Sequence, residues 1–432
     1  MKKRISGLFL AAVLLLSACG SRTNPVIIAP DGSNLSNQGE KTELVLATIN
    51  DTLATAGLDS VLREAVTSFN QSQDKYSVTI CDYSQNGVLN AKEAERKLNT
   101  ELISGQYPDM VCFSNISMSP YLAKGLLLDL RECMERDASI TSDDLVGSAA
   151  LQKQDEGIFY LSSDGSFSTL AARFSDFGDR YGWSFVEYLE RESELDSNVW
   201  LIYNITHSSF LREVAERYSR DTIDWRSGTC HFDNLEFIEI LKASMRIQDK
   251  PETDDNMLFG PGGTLVAQGK LVAALVYGDQ VSKLALSEND AGQKLSYIGW
   301  PTVDGRCGTD LKLGHPVGIL SKGNHIDGCW EFMKHYLTNG GYKDALPMYK
   351  PRLLSELEDA KTKKDNPVPL TDEQAERFLD LLDHIENVAI YDETVMDIIM
   401  SESEDFFAGH RTAEETADII QSKVRLYLAE LK

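Results

Sequence analysis

Two periods of apolar residues alternate along the first part of this chain. Residues 43–49 form a short apolar run, after which Leu58, Val61, Leu62, Ala65, Val66 and Phe69 recur at the three- and four-residue spacing of one helix face. Tyr76, Val78 and Ile80 then alternate with Ser77, Thr79 and Cys81, the period of a strand. Ala91, Ala94, Leu98 and Leu102 line a second helical face. Asn90 and Glu93 have capping-box spacing at its start, and Gly105 can close it. Pro108 precedes a third strand over 109–113, and Pro120 opens a short helix that Gly125 interrupts. The order β-α-β-α-β-α predicts a largely parallel sheet with helices on both faces. Ligands of such sheets bind beyond the carboxyl ends of the strands.

Similar α/β character returns at 271–276 and 295–298, two further strands. Between the halves Asp233 or Asn234 caps a helix carrying Phe237, Ile238, Leu241 and Met245, and 260–263 is an open turn. The region near 170–265 therefore reads as a second lobe. From His325 a helix with Trp330, Met333 and Leu337 ends at Gly340. A last helix starts at a Thr412–Glu415 capping box and buries Ala413, Ala417, Ile420, Val424 and Leu428.

The amino-terminal segment is of another kind. Lys2, Lys3 and Arg4 precede an apolar stretch over 8–16, and small residues then lead to Cys19, the architecture of a secretory leader over 1–18. Residues 16–19, Leu-Ser-Ala-Cys, resemble the bacterial lipobox, which implies that Cys19 is lipidated and anchors the chain to a membrane surface. Residues 19–42 are rich in Ser, Thr, Asn, Gly and Pro, with one apolar cluster at Val26, Ile27 and Ile28, and read as a flexible tether.

A length of 432 residues exceeds one compact core, so two large lobes are expected. The net charge of −25 disfavours nucleic acid and anionic lipid headgroups as partners. Cys81, Cys112, Cys133, Cys230, Cys307 and Cys329 contain no CxxC pair and are expected as buried free thiols, with disulfides of unassigned pairing as the alternative. The seven histidines form neither HxH nor HExxH, so no metal site is expected. The GPGG turn at 260–263 lacks the Lys-Ser/Thr of a phosphate loop, and no GxSxG is present. No cofactor and no catalytic residues are assigned.

Several phrases resemble the extracellular solute-binding proteins of carbohydrate ABC importers, family 1, the maltose-binding type. They are Phe69-Asn70 before a strand, GQYPD at 105–109, GLLLDL at 125–130, GIFY at 157–160, GKLVAALVYG at 269–278, and GILSK at 318–322 before a helix with CWEF at 329–332. The resemblance implies a periplasmic-binding-protein-like type II α/β fold. Its two lobes are each a mostly parallel sheet flanked by helices, discontinuous in sequence and closing on a hinge. Lobe one is expected over 43–160 plus 268–312, lobe two over 161–267 plus 313–432. The implied protein is an extracytoplasmic, lipid-anchored monomer that performs no covalent chemistry and hands a small ligand, a sugar or oligosaccharide, to the membrane subunits of an importer. Peptides, amino acids or polyamines are the alternative cargo, a surface-anchored glycoside hydrolase or a sensor-kinase receptor the alternative roles.

A sugar requires aromatic plates for its C–H faces, with carboxylates and amides for its hydroxyls. Carried over by motif, the ligand-binding candidates are Asn50 and Asp51 after the first strand, Ser114 and Asn115 after the third, Asp164 after the crossing, and Tyr277 and Gln280 at the return strand. Trp183, Trp200, Trp300 and Tyr391 are candidate plates. Each Trp has core packing as its alternative, and Asp51 and Asn115 have turn or cap roles. Where many relatives carry Trp soon after the glycine that matches Gly278, Asp279 and Gln280 stand here.

Overall fold

The computed structural model describes residues 26–28, 41–49, 58–84, 88–147, 157–196, 199–203, 205–247, 262–278, 283–342, 345–362, 369–389 and 392–431. The leader, Cys19, most of the expected tether, Asn50, Asp51, Gln280 and Tyr391 lie outside them. No described helix is long and apolar enough to cross a membrane.

Fourteen strands are described: β1 (Val26–Ile28), β2 (Thr42–Thr48), β3 (Tyr76–Asp82), β4 (Met110–Cys112), β5 (Asp164–Arg173), β6 (Trp200–Ile202), β7 (Ile223–Asp224), β8 (Thr229–Cys230), β9 (Leu271–Tyr277), β10 (Leu295–Tyr297), β11 (Asp310–Leu313), β12 (Val317–Ile319), β13 (Leu346–Pro347) and β14 (Asn387–Val388). The first sheet has the order β1-β3-β2-β4-β12. β2 runs parallel to β3 and β4, as the alternating pattern predicts, while β12 and β1 close the edges antiparallel. β1 comes from the stretch expected to be tether: the apolar cluster noted there pairs residue by residue with Ile80–Asp82.

The second sheet runs β14-β11-β5-β9-β6 and is mixed. Its long strand β5 leaves the first lobe and lies antiparallel to β9, β10, β11 and β13. Among the described strands of this sheet, β6 with β9 and β11 with β14 pair in parallel. The cause is topological, since β5 carries the chain away from the hinge and β9 and β11 bring it back.

This pairing redraws the lobes. Residues 268–312, expected in lobe one, contribute β9, β10 and β11 to the second sheet. β12 and the helix Ile326–Asn339, expected in lobe two, complete the first lobe: β12 pairs with β4, and Phe332 stacks edge-on against Phe69 at 5.4 Å. A short apolar run does not say which sheet it joins, so the exchange was invisible in the pattern.

The caps are where the pattern put them. Asn90 and Glu93 close a reciprocal box on helix Ala91–Ile103, Asn234 caps Leu235–Arg246, and Thr412 with Glu415 opens Ala413–Glu430. One apolar cluster runs without a break from Leu44, Val61 and Phe69 through Ile158, Leu161 and Val317 to Phe167, Leu311 and Tyr336. The crossings are thus packed core, and motion between lobes must bend the short segments rather than open a gap in them. A second cluster, with Trp183, Phe210, Phe237 and Ile420, fills the far side of lobe two.

Candidate functional site

Two crossings lie side by side. The outward one includes 157–163 and the returning one 314–316. Leu161 and Val317 exchange both backbone hydrogen bonds, at 3.0 and 2.8 Å. Gly314 N donates to Asp164 O at 2.9 Å, and His315 N donates to Ser162 Oγ at 3.0 Å. Asp164 is buried here: its Oδ2 accepts from Tyr342 N at 3.0 Å and its Oδ1 stands 3.4 Å from His315 Nδ1. Its carboxylate is therefore consumed by the hinge, and a Cβ on Gly314 would lie 2.3 Å from it. A third tie joins the lobes where Asp392 caps the helix Glu393–Phe407 and accepts from Ser117 Oγ of the first lobe at 3.1 Å and from Tyr427 OH at 2.9 Å.

Both sheets direct strand ends at these crossings. The carboxyl end of β4 reaches them directly, with Phe113 N donating to Pro316 O at 2.8 Å. Asn115 Nδ2 donates to Ile49 O at 2.9 Å, which holds the ends of β2 and β4 together. Ser114 is half-buried, its Oγ 3.3 Å from Cys112 Sγ. From the other lobe β9 ends at the same place: Gly278 N donates to Phe167 O at 2.8 Å, three residues beyond Asp164. Carboxyl ends of strands from two sheets, converging on a hinge, define an interlobe site.

Of the described candidates, Tyr277 is the one that stands open on the second-lobe wall. It is 57% exposed, and Leu275, two residues earlier on the same face of β9, is 39% exposed. Register places Tyr277 beside Ser168 of β5, which faces Asp310 of β11, which in turn faces Asn387 of β14. Lys312, two residues along β11 from Asp310, is exposed on this face as well. Glu216, on helix His207–Thr222, has its carboxyl pushed up to about 7 by burial, with Glu213 adding to the rise and the Arg212 partner at 3.0 Å and Lys312 opposing it. Lys312 and Glu216 had no motif to announce them.

The three tryptophans expected as plates are core. Trp183 is fully buried against Phe177 and Tyr188, and its ring N–H donates to Gly299 O at 2.8 Å. Trp200 lies in the buried cluster at β6, beside Tyr203. Trp300 is buried beneath the Arg217 guanidinium, 5.6 Å from its ring centre. Each sits where a large apolar ring closes the space between sheet and helix, which is why none reaches the cleft. The six expected thiols, Cys81, Cys112, Cys133, Cys230, Cys307 and Cys329, are free and buried. No group of side chains suited to a metal ion occurs among the described residues.

No protein-family model matches the chain, and no curated protein matches it in sequence. Solved structures do match. The sugar-binding protein MalE of Xanthomonas citri superposes with a TM-score of 0.58 at 13% identity, over 90% of this chain and 98% of that one. The chain has the solute-binding-protein fold. A periplasmic oligogalacturonide-binding protein from Yersinia enterocolitica gives 0.56 at 13% identity, over 90% of this chain and 100% of that one. A family 1 extracellular solute-binding protein from Alicyclobacillus acidocaldarius gives 0.52 at 14%, over 91% and 100%. The solute-binding fold thus covers about 90% of this chain.

Proposed function

We propose that this protein captures a sugar or oligosaccharide between its lobes and delivers it to the membrane subunits of an ABC importer. The observation that carries the reading is the convergence of strand ends from both sheets on two paired crossings, with Tyr277 exposed on one wall. An exposed phenol offers an apolar face and a hydroxyl, the combination a pyranose ring needs. In this reading Asn115 and Ser114 supply ligand contacts from lobe one, and the candidates Asn50, Asp51, Gln280 and Tyr391 supply others. No covalent step is required. The work is the difference in ligand affinity between open and closed lobes.

The importer also needs the receptor outside the cell and near its permease. In this reading residues 1–18 are a cleaved leader and Cys19 carries the lipid, so a monomer sits on the outer face of the membrane. Purification from the native host followed by native mass spectrometry tests the cargo: a mass increment matching one or more hexoses or uronic acids supports the reading. A peptide or polyamine increment assigns the alternative cargo, and glycan cleavage by the purified protein would revive the hydrolase.

A further inference from the structure

The third tie between the lobes brings two carboxylates together. On lobe one, Glu95 lies on helix Ala91–Ile103, and its Oε1 accepts from Ser117 N at 3.1 Å. The Ser117 hydroxyl reaches the other way and donates to Asp392 Oδ2 of lobe two at 3.1 Å. One serine thus stands a single hydrogen bond from each carboxylate, and the two carboxylates belong to different lobes.

Asp392 is not free to turn aside. Its Oδ1 accepts from Thr394 N at 2.9 Å and from Val395 N at 3.2 Å, the cap of helix Glu393–Phe407. Its Oδ2 also takes the Tyr427 hydroxyl of helix Ala413–Glu430 at 2.9 Å. Asp392 is buried and Glu95 half-buried, so water screens their repulsion less than it would at the surface.

The groups that face Glu95 do not neutralise it. From its own lobe they are Ser117 and Tyr121 of helix Ser119–Ala123, and from lobe two they are Asp392 and Tyr427. On the same helix, Lys97 lies over the Tyr83 ring and Glu101 accepts from the Tyr83 hydroxyl. Glu393, the neighbour of Asp392, pairs with Arg212 at 3.1 Å. Burial raises the Glu95 carboxyl above its ordinary value; the bond from Ser117 N opposes the rise and Asp392 adds to it. A neutral Glu95 lets Ser117 hold Asp392 without a like charge beside it, whereas an ionised Glu95 pushes Asp392 and its lobe away.

We propose that Glu95, Ser117 and Asp392 form a proton-operated clasp between the lobes: with Glu95 protonated the lobes keep the arrangement seen here, and with Glu95 ionised they loosen. Because Glu95 holds its proton more tightly with the clasp made than with Asp392 withdrawn, the clasp is strongest below the ordinary glutamate value of about 4.3 and weakens as pH rises above it. The inference concerns the motion of the lobes and does not rest on the cargo being a sugar.

Double electron–electron resonance on the intact, ligand-free protein tests it, with spin labels at Ile103→Cys on lobe one and Leu235→Cys on lobe two, both exposed and outside the clasp. The fraction at the clasped distance should fall at least about threefold between pH 5 and pH 8. Glu95→Gln should stay clasped at both, Ser117→Ala should be loose already at pH 5, and Glu216→Gln, which removes the other raised carboxyl, should respond as the parent does. A distance distribution in the parent that ignores pH, or that loosens towards acid, overturns the proposal. So does an undiminished response in Glu95→Gln, a lost response in Glu216→Gln, or a Ser117→Ala protein as clasped as the parent at pH 5. Ser117 is half-buried and its backbone bond to Glu95 survives the change, so Ser117→Ala keeps the test decisive should Glu95→Gln fail to fold.

Discussion

Replacing Gly314 by alanine probes the hinge at its tightest point. The added Cβ would stand 2.3 Å from Asp164 Oδ1 and 3.2 Å from Asp164 O, where unstrained carbon contacts begin near about 3.5 Å. Roughly an ångström of movement is needed, and neither side is free to give it. The Asp164 carboxylate is held by Tyr342 N, while its backbone oxygen accepts from Gly314 N and Ser162 Oγ. Overpacking costs about 1–3 kcal/mol and a lost hydrogen bond to a charged group about 1.5–3, so the variant should lose about 2.5–6 kcal/mol. Gly105→Ala is the control. Gly105 has φ +83° and nothing within 4 Å of its would-be Cβ, so only the left-handed backbone is strained, at about 1–2 kcal/mol. Urea unfolding followed by tryptophan fluorescence measures both. A Gly314→Ala protein no less stable than Gly105→Ala would refute the account of the hinge.

Three further outcomes are expected. Because the Glu216 carboxyl is raised to about 7 when folded, the native chain holds its proton more tightly than the unfolded chain does, and stability should fall as pH rises from about 4.5 to 7. Glu216→Gln should remove that fall and leave the variant more stable than the parent above pH 7 by about 1–3 kcal/mol, which denaturation midpoints at pH 4 and pH 8 will check. Tyr277→Ala should leave the melting temperature within experimental error, since the side chain is mostly exposed, while weakening binding of the native saccharide at least about tenfold in calorimetry. The six buried thiols should resist a thiol-specific reagent at pH 8 until the chain unfolds, because burial raises all of them and pushes Cys81 and Cys230 up to about 11; rapid labelling of the folded protein would contradict this.

Local features were legible in the chain and distant ones were not. The capping pairs Asn90–Glu93 and Thr412–Glu415 are written in adjacent residues and occur as read. The apolar run Leu271–Tyr277 was readable as a strand, but its partners β5 and β6 are set by topology, so its lobe was misplaced. Tryptophan is ambiguous for the same reason: Trp183 satisfies its ring N–H on Gly299 O, a partner 116 residues away. Tyr277 could be selected because it ends its strand. The Asp310, Arg217 and Arg220 cluster gave no signal at all, since its members come from a helix and a strand far apart in sequence.

Small-angle X-ray scattering on the protein, first stripped of ligand and then saturated with its native solute, tests the central claim most directly. Lobes closing over the crossings predict a smaller radius of gyration on saturation, reversed when ligand is removed. An unchanged radius at proven saturation would contradict capture by closure.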